Sequence, residues 1–376
     1  MVVMRSKQDI HTLFLSLLLL LLVPAPSYQE EAISFNQWVR NNQSSGQDVP
    51  CACAKKDAAL SSAETTKVTN FIDPAIELRP EEGGYKTIGE SIANIPEGNT
   101  KRYVLILKPG AVFREKLVLG RSKPFITLKC DDPKNPAVIV WNDTATTPGK
   151  DGKPLGADGA ATVTIESDYL IAYGVPKPAG AGGEAPALRV LGTKATFYNC
   201  TIDGGRGALY DQMGLHYFKA CAIKGTFDFI FGFAKSFYEE CRIISVNKDD
   251  IAASLPMAPP EPQRYRNFIN TTRGESGLCF KTCTTEGEAK ILLGRLGMPV
   301  IYTYTELGKE IEPIISDDGG AKRMDKGYYC ATFKCSGPGM ATMTTAALRY
   351  DEVKPFLGTY YISGDSWIPS LPPAEE

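Results

Sequence analysis

From about residue 85 the chain alternates short apolar runs, rich in β-branched and aromatic residues, with Gly, Pro, Asp and Asn: YVLILKPG, FITLKC, AVIVW, ATVTIES, ATFYNCTI, YFKACAI, FDFIFG, SFYEECRII, KILLG and VIYTYTE. Runs of this length between turn residues, with few long helical patterns among them, predict an all-β chain. One segment, Thr87 to Ile95, has apolar positions at helical spacing and predicts a short helix that caps one end. Residues 29 to about 70 are polar, so 29–84 reads as an N-terminal arm running into the first strands and 85–370 as the folded domain.

Within the β-rich region one phrase recurs. An aromatic pair precedes Cys200, Cys221 and Cys241, each followed two residues on by isoleucine, and CFKTC brings Cys283. The spacings are 21, 20 and 42 residues, the last read as two periods. A period near 20 in β-rich segments predicts a solenoid in which equivalent residues stack from coil to coil, that is, a parallel β-helix. A sandwich or barrel is the alternative, but its strands need not repeat such a phrase in register. The stacked cysteines are either small apolar core fillers or close enough to bond, and of the possible pairs Cys241 with Cys283 is preferred.

Composition then limits the chemistry. The 376 residues carry 41 Lys and Arg against 43 Asp and Glu, a balance unlike that of a nucleic-acid reader. Only two histidines occur, His11 and His216. Residues 1–28 place Arg5 and Lys7 before the apolar run Leu13 to Val23 and end in Pro24, Ala25, Pro26 and Ser27, the pattern of a secretory signal too short to span a bilayer comfortably. An uncleaved anchor is the alternative reading. Removal of the leader leaves His216 alone, which excludes sites with two or three His ligands and directs attention to carboxylates. Cys51 and Cys53 lack the partners that zinc needs. No metal or cofactor is implied. Export makes the sequons at Asn42, Asn142, Asn199 and Asn270 candidates for glycosylation, though Asn199 adjoins a cysteine read as core.

From Tyr85 to Trp367 the chain resembles the plant pectinesterases, cell-wall enzymes that remove methyl groups from galacturonate esters. The resemblance rests on GAVFREK at 110–116, ESDY at 166–169, ALRV at 187–190, HYFKAC at 216–221, GTFDFIFG at 225–232, LLGR at 292–295, and KCSGPG, KPF and GDSWI near the C terminus, all in order. The resemblance implies a single-stranded right-handed parallel β-helix of the pectin lyase-like kind. Residues 29–84 are too short for an inhibitor-like helical prodomain. It implies a secreted monomer acting on pectin, with a proteinaceous pectinesterase inhibitor as a further partner. It also implies an aspartate nucleophile, a second aspartate as acid and base, two oxyanion glutamines and an arginine that holds the nucleophile ionised. Asp228 matches the nucleophile and Arg295 its partner; Tyr210 and Phe231 match aromatic positions lining the sugar groove, although both also suit core packing.

Four positions depart from that pattern together. The glutamines fall on Glu184 and Arg206, the acid on Gly207, and the stacking tryptophan on Gly297. A glycine transfers no proton, so slowed turnover is expected; losing a positioned general acid costs about 10²–10⁴ in rate. Glu184 and Arg206, if they face one pocket, are expected to pair there. A rescue in which Arg206 stabilises the oxyanion and Glu184 serves as acid stands against this, because a nearby arginine keeps a carboxyl ionised. The sequence therefore supports an impaired pectinesterase or a pectin-binding wall protein without turnover. A polysaccharide lyase is disfavoured, since no clustered acidic calcium site is evident.

Overall fold

The structure, a computed structural model, describes residues 76–369 except 81–84, 133, 175–184, 227, 247–252, 255–275, 294–298, 313–328 and 343–345. Its strands form parallel sheets that run along a common stack. The largest has eleven strands, from Ile76–Leu78 to Ala346–Ala347; a second has four and a third has five. Every neighbouring pair is parallel and comes from successive coils, which is a parallel β-helix.

The recurring phrase explains the stacking. Phe197, Phe218, Tyr238, Phe280 and Tyr302 are in-register partners on the inner face of the large sheet. Their rings stack in one column with centroids 4.6, 4.6, 4.5 and 4.9 Å apart. One coil therefore advances by one ring, close to the strand spacing of about 4.8 Å. Just past each strand the chain turns through a left-handed residue: Asn199, Ala220, Glu240, Thr282, Tyr304 and Lys334 all have φ between 49° and 55°. Their amides donate to carbonyls of the next coil, as from Asn199 to Lys219 at 2.9 Å and from Tyr304 to Phe333 at 3.0 Å.

The residue after each turn points inward, and here the cysteines lie. Cys200, Cys221, Cys241 and Cys283 are buried free thiols, not disulfides. Each donates to a carbonyl of the preceding coil: Cys221 to Phe197 at 3.5 Å, Cys241 to Phe218 at 3.4 Å and Cys283 to Tyr238 at 3.5 Å. The expected Cys241–Cys283 bond is thus replaced by a ladder of satisfied thiols, which Thr305 continues by donating to Phe280 at 3.2 Å and Cys335 by donating to Tyr302. Burial pushes the Cys241 thiol well above its usual pKa, which suits a core filler. Cys51 and Cys53 lie outside the described residues.

Two further expectations are corrected. The 42-residue spacing is one coil: Lys235–Glu239 pairs directly with Gly277–Lys281, and Arg242–Ser245 with Thr284–Gly287, so the extra length is an insertion between strands. Asn199 is exposed, because the left-handed turn directs it outward while Cys200 turns in; Asn142 is exposed as well. Asn42 and Asn270 lie outside the described residues.

The expected helix forms at Ile88–Ala93 with Ile88 and Ile92 buried. Thr87 caps it through Glu90 N–H, and Glu115 accepts from the amides of Ile88 and Gly89 at 3.0 and 2.9 Å. The carboxylate in GAVFREK thus satisfies the orphan donors of a helix start. Among the described residues no helix is long and apolar enough to cross a membrane.

Candidate active site

The site lies on the third sheet, made by Leu117–Leu119, Val163–Ile165, Leu188–Val190, Leu209–Asp211 and Ile230–Phe231. Alternation along these short strands sends Leu117, Val163, Leu188, Leu209 and Ile230 into the core. It leaves an outward row, one residue per coil: Val118, Thr164, Arg189, Tyr210 and Phe231. At the Phe231 end lies Asp228.

Asp228 sits two residues before the Ile230–Phe231 strand, is 4% exposed and has φ +46°. Left-handed backbone at a residue other than glycine costs energy, and it concentrates at functional sites where surrounding structure holds it. The glycines of GTFDFIFG supply that structure. A Cβ on Gly225 would stand 2.2 Å from the Phe229 side chain, and one on Gly232, whose φ is +141°, would stand 1.8 Å from the Asp211 carbonyl. The motif is a tight turn packed against neighbouring coils, with the aspartate at its apex.

The offset that pairs Asp203 with Lys224, Leu209 with Ile230 and Tyr210 with Phe231 aligns Gly207 with Asp228 on the adjoining coil. Gly207 is buried and also left-handed, with φ +73°. A Cβ there would meet Phe231 Cε1 at 3.1 Å, so the ring leans over the position. The register therefore gives Asp228 a neighbour that has no side chain to donate or accept a proton.

Tyr210 and Phe231 stack at 4.2 Å with an interplanar angle of 14°. Both lie on the outer face of the sheet, yet they are 1% and 6% exposed, so neither offers an open stacking face. Arg189 continues the row, with its guanidinium carbon 5.8 Å from the Tyr210 centroid. Its Nε donates to Gln212 Oε1 at 2.7 Å, and another nitrogen donates to the Asp158 carbonyl at 3.0 Å. The sequence reading contained ALRV but did not single out Arg189, Asp158 or Gln212. The period-two alternation of ALRV laid beside ALYD would have placed Arg189 beside Tyr210.

Arg206 is exposed, and its carbonyl accepts from Ala185 at 3.2 Å. An exposed Arg206 departs from the enclosed position that pairing with Glu184 in one pocket would give it. Glu184, Arg295 and Gly297 lie outside the described residues.

His216 is fully buried and committed elsewhere. Its Nε2 donates to the Gly192 carbonyl at 2.8 Å, and its Nδ1 lies 2.5 Å from Asp211 Oδ1, while Tyr238 donates to Asp211 Oδ2 at 2.7 Å. Asp211 falls in the inward row that holds Leu119, Ile165 and Val190 in earlier coils. This core carboxylate is satisfied by the histidine and the tyrosine and is turned away from Asp228, so it does not replace the acid missing at 207. Burial, then the Asp211 carboxylate, pushes the Tyr238 phenol well up. Among the described residues no group of three or more His, Cys, Asp or Glu side chains is placed to hold a metal ion.

The family profile described as Pectinesterase matches residues 78–291. The chain belongs to the pectinesterase family. Among the relatives, pectinesterase QRT1 of Arabidopsis thaliana is 32% identical over 301 residues, covering 76% of each chain. Pectinesterase 2 of Olea europaea is 35% identical over 280 residues, covering 71% of this chain and 70% of that one. The pectin methylesterase from carrot has the same fold, with a TM-score of 0.65 at 22% identity over 79% of this chain and 95% of that one. A pectin methylesterase solved in complex with a hexasaccharide gives 0.63 at 19% identity, over 80% and 99%. By family this pectinesterase is a carboxylic ester hydrolase.

Proposed function

We propose that the chain is a slow pectinesterase that acts on methyl-esterified homogalacturonan, with Asp228 as the nucleophile and Arg295 as the cation that keeps it ionised. The leader at residues 1–28 supports export to the cell wall. The observation that carries the reading is Asp228 itself, a buried carboxylate at the apex of a strained, glycine-flanked turn. The family's reaction needs no histidine or metal, which fits a chain whose one histidine beyond the leader is buried in the core.

Slowness follows from Gly207. Methoxide is a poor leaving group and must be protonated as it departs, and the in-register neighbour of Asp228 carries no proton donor. That same observation favours a second reading, a pectin-binding wall protein that keeps the site without turnover. Methanol release from esterified pectin by the secreted protein and by Asp228→Ala separates the two. Weak release that disappears in the variant supports the enzyme, whereas none from either protein, with pectin still retarding the wild type in affinity gels, supports the binding protein.

A further inference from the structure

Resting on the reading of Asp228 as nucleophile, we propose that this site selects esters by leaving group, turning over aryl esters, whose alcohol departs as a stabilised anion, and leaving alkyl esters nearly untouched. Two observations carry it. Gly207, buried and in register with Asp228 on the adjoining coil, offers no proton to a departing oxygen. And the space that a side chain at 207 would enter is bounded by the edge of an aromatic ring, with Phe231 Cε1, Cζ and Cδ1 at 3.1, 3.7 and 3.9 Å from the Cβ position. The surroundings of position 207 are therefore the apolar edge of Phe231, backed by Tyr210 at 4.2 Å, where an acid would otherwise stand.

The chemistry balances without a donor. A carboxylate oxygen of Asp228 attacks the acyl carbon; the bond to the aryl oxygen breaks, its electron pair leaves with the phenolate, and an acyl anhydride of Asp228 forms. Water then adds to the substrate-derived acyl carbon and gives up one proton to solvent, the Asp228 carboxylate departs as a good leaving group, and the new acid loses the second proton to solvent. Only the first step with an alkyl ester needs a proton delivered to the leaving oxygen, because an alkoxide is too basic to depart unassisted.

The test uses the full chain, 4-nitrophenyl acetate and a series of aryl acetates of increasing phenol pKa, and methyl-esterified pectin. Wild-type kcat/KM is expected to fall steeply as phenol pKa rises. Asp228→Ala is expected to abolish hydrolysis of the nitrophenyl ester. Gly207→Asp, which needs Phe231 to give by a few tenths of an ångström, is expected to raise methanol release by about 10²–10⁴-fold and flatten the dependence on phenol pKa. If that variant does not fold, as judged by circular dichroism, the wild-type series alone decides. A wild type that cleaves methyl and nitrophenyl esters at similar rates, both lost in Asp228→Ala, overturns this inference and leaves the nucleophile standing. Nitrophenyl hydrolysis that survives Asp228→Ala overturns both.

Discussion

Two rows of left-handed residues run through the molecule and answer to different demands. Along the large sheet the row from Asn199 to Lys334 contains Asn, Ala, Glu, Thr, Tyr and Lys at nearly one φ, because the outward side chain is free to vary while the inward residue after it is held by coils on either side. On the third sheet Gly207 and Asp228 face each other in the same kind of backbone, but here the side chain is the point of the position. The first row shows what packing enforces: four thiols, a threonine hydroxyl and a fifth thiol in the same hydrogen-bonded place. The second shows what packing does not enforce, since a coil closes equally well over a glycine where chemistry needs an acid.

The largest expected effect separates these rows. Asp228→Ala should reduce methanol release to background while lowering the melting temperature only slightly, since alanine must hold the same left-handed backbone but a buried carboxylate is removed; a large loss of thermal stability would show that the aspartate belongs to the scaffold instead. In the column of rings the reverse is expected. Phe218→Ala, fully buried and stacked on both faces, should cost about 3–5 kcal/mol in denaturant unfolding. A loss under 1 kcal/mol would mean that the column is not the spine of the core. Cys241→Ala, which deletes one thiol from the ladder, should cost about 1–2 kcal/mol in the same experiment. Mass spectrometry of the alkylated, denatured protein should find Cys200, Cys221, Cys241 and Cys283 as thiols; a bond among them would break the ladder account.

A smaller effect concerns pH on the outer face of the large sheet. Glu239 accepts from Tyr217 at 2.5 Å and from Lys281 at 2.9 Å, with Lys219 nearby. Burial opposes ionisation, but the two lysines and the hydrogen bonds prevail and hold its carboxyl down to about 2, against an ordinary 4.5. A carboxyl lowered in the folded state gives stability that is fully present above the unfolded value and fades as pH falls from about 4.5 towards 2. The wild-type melting temperature should therefore drop faster over that interval than that of Glu239→Gln, and parallel curves would remove this pair from the account.

Much of this was legible in the sequence. The aromatic-aromatic-Cys phrase named the inward residues of successive coils, and the interior of a solenoid repeats because each coil packs on the last. The helix at Thr87 was legible from its spacing. The 42-residue interval misled because strand pairing ignores the length of a surface connection, and the Cys241–Cys283 pair misled because stacked proximity permits a bond without requiring one. At the site, Asp228 and the glycine opposite it could be placed from two short phrases. Arg189, Asp158 and Gln212 were missed because their contacts join three distant segments that only the coil register brings together. The exposure of Arg206 was hidden for a similar reason: a motif gives a residue's place on the strand and not its orientation.

The central claim is that Asp228 keeps its scaffold and that, of the family positions this chain has lost, the proton donor absent at Gly207 limits turnover most. Methanol release from methyl-esterified pectin by Gly207→Asp, beside the wild type and with folding checked by circular dichroism, tests it most directly. The expected result is a gain of about 10²–10⁴-fold that is lost again when Asp228→Ala is added. A folded Gly207→Asp protein with unchanged release would contradict the claim.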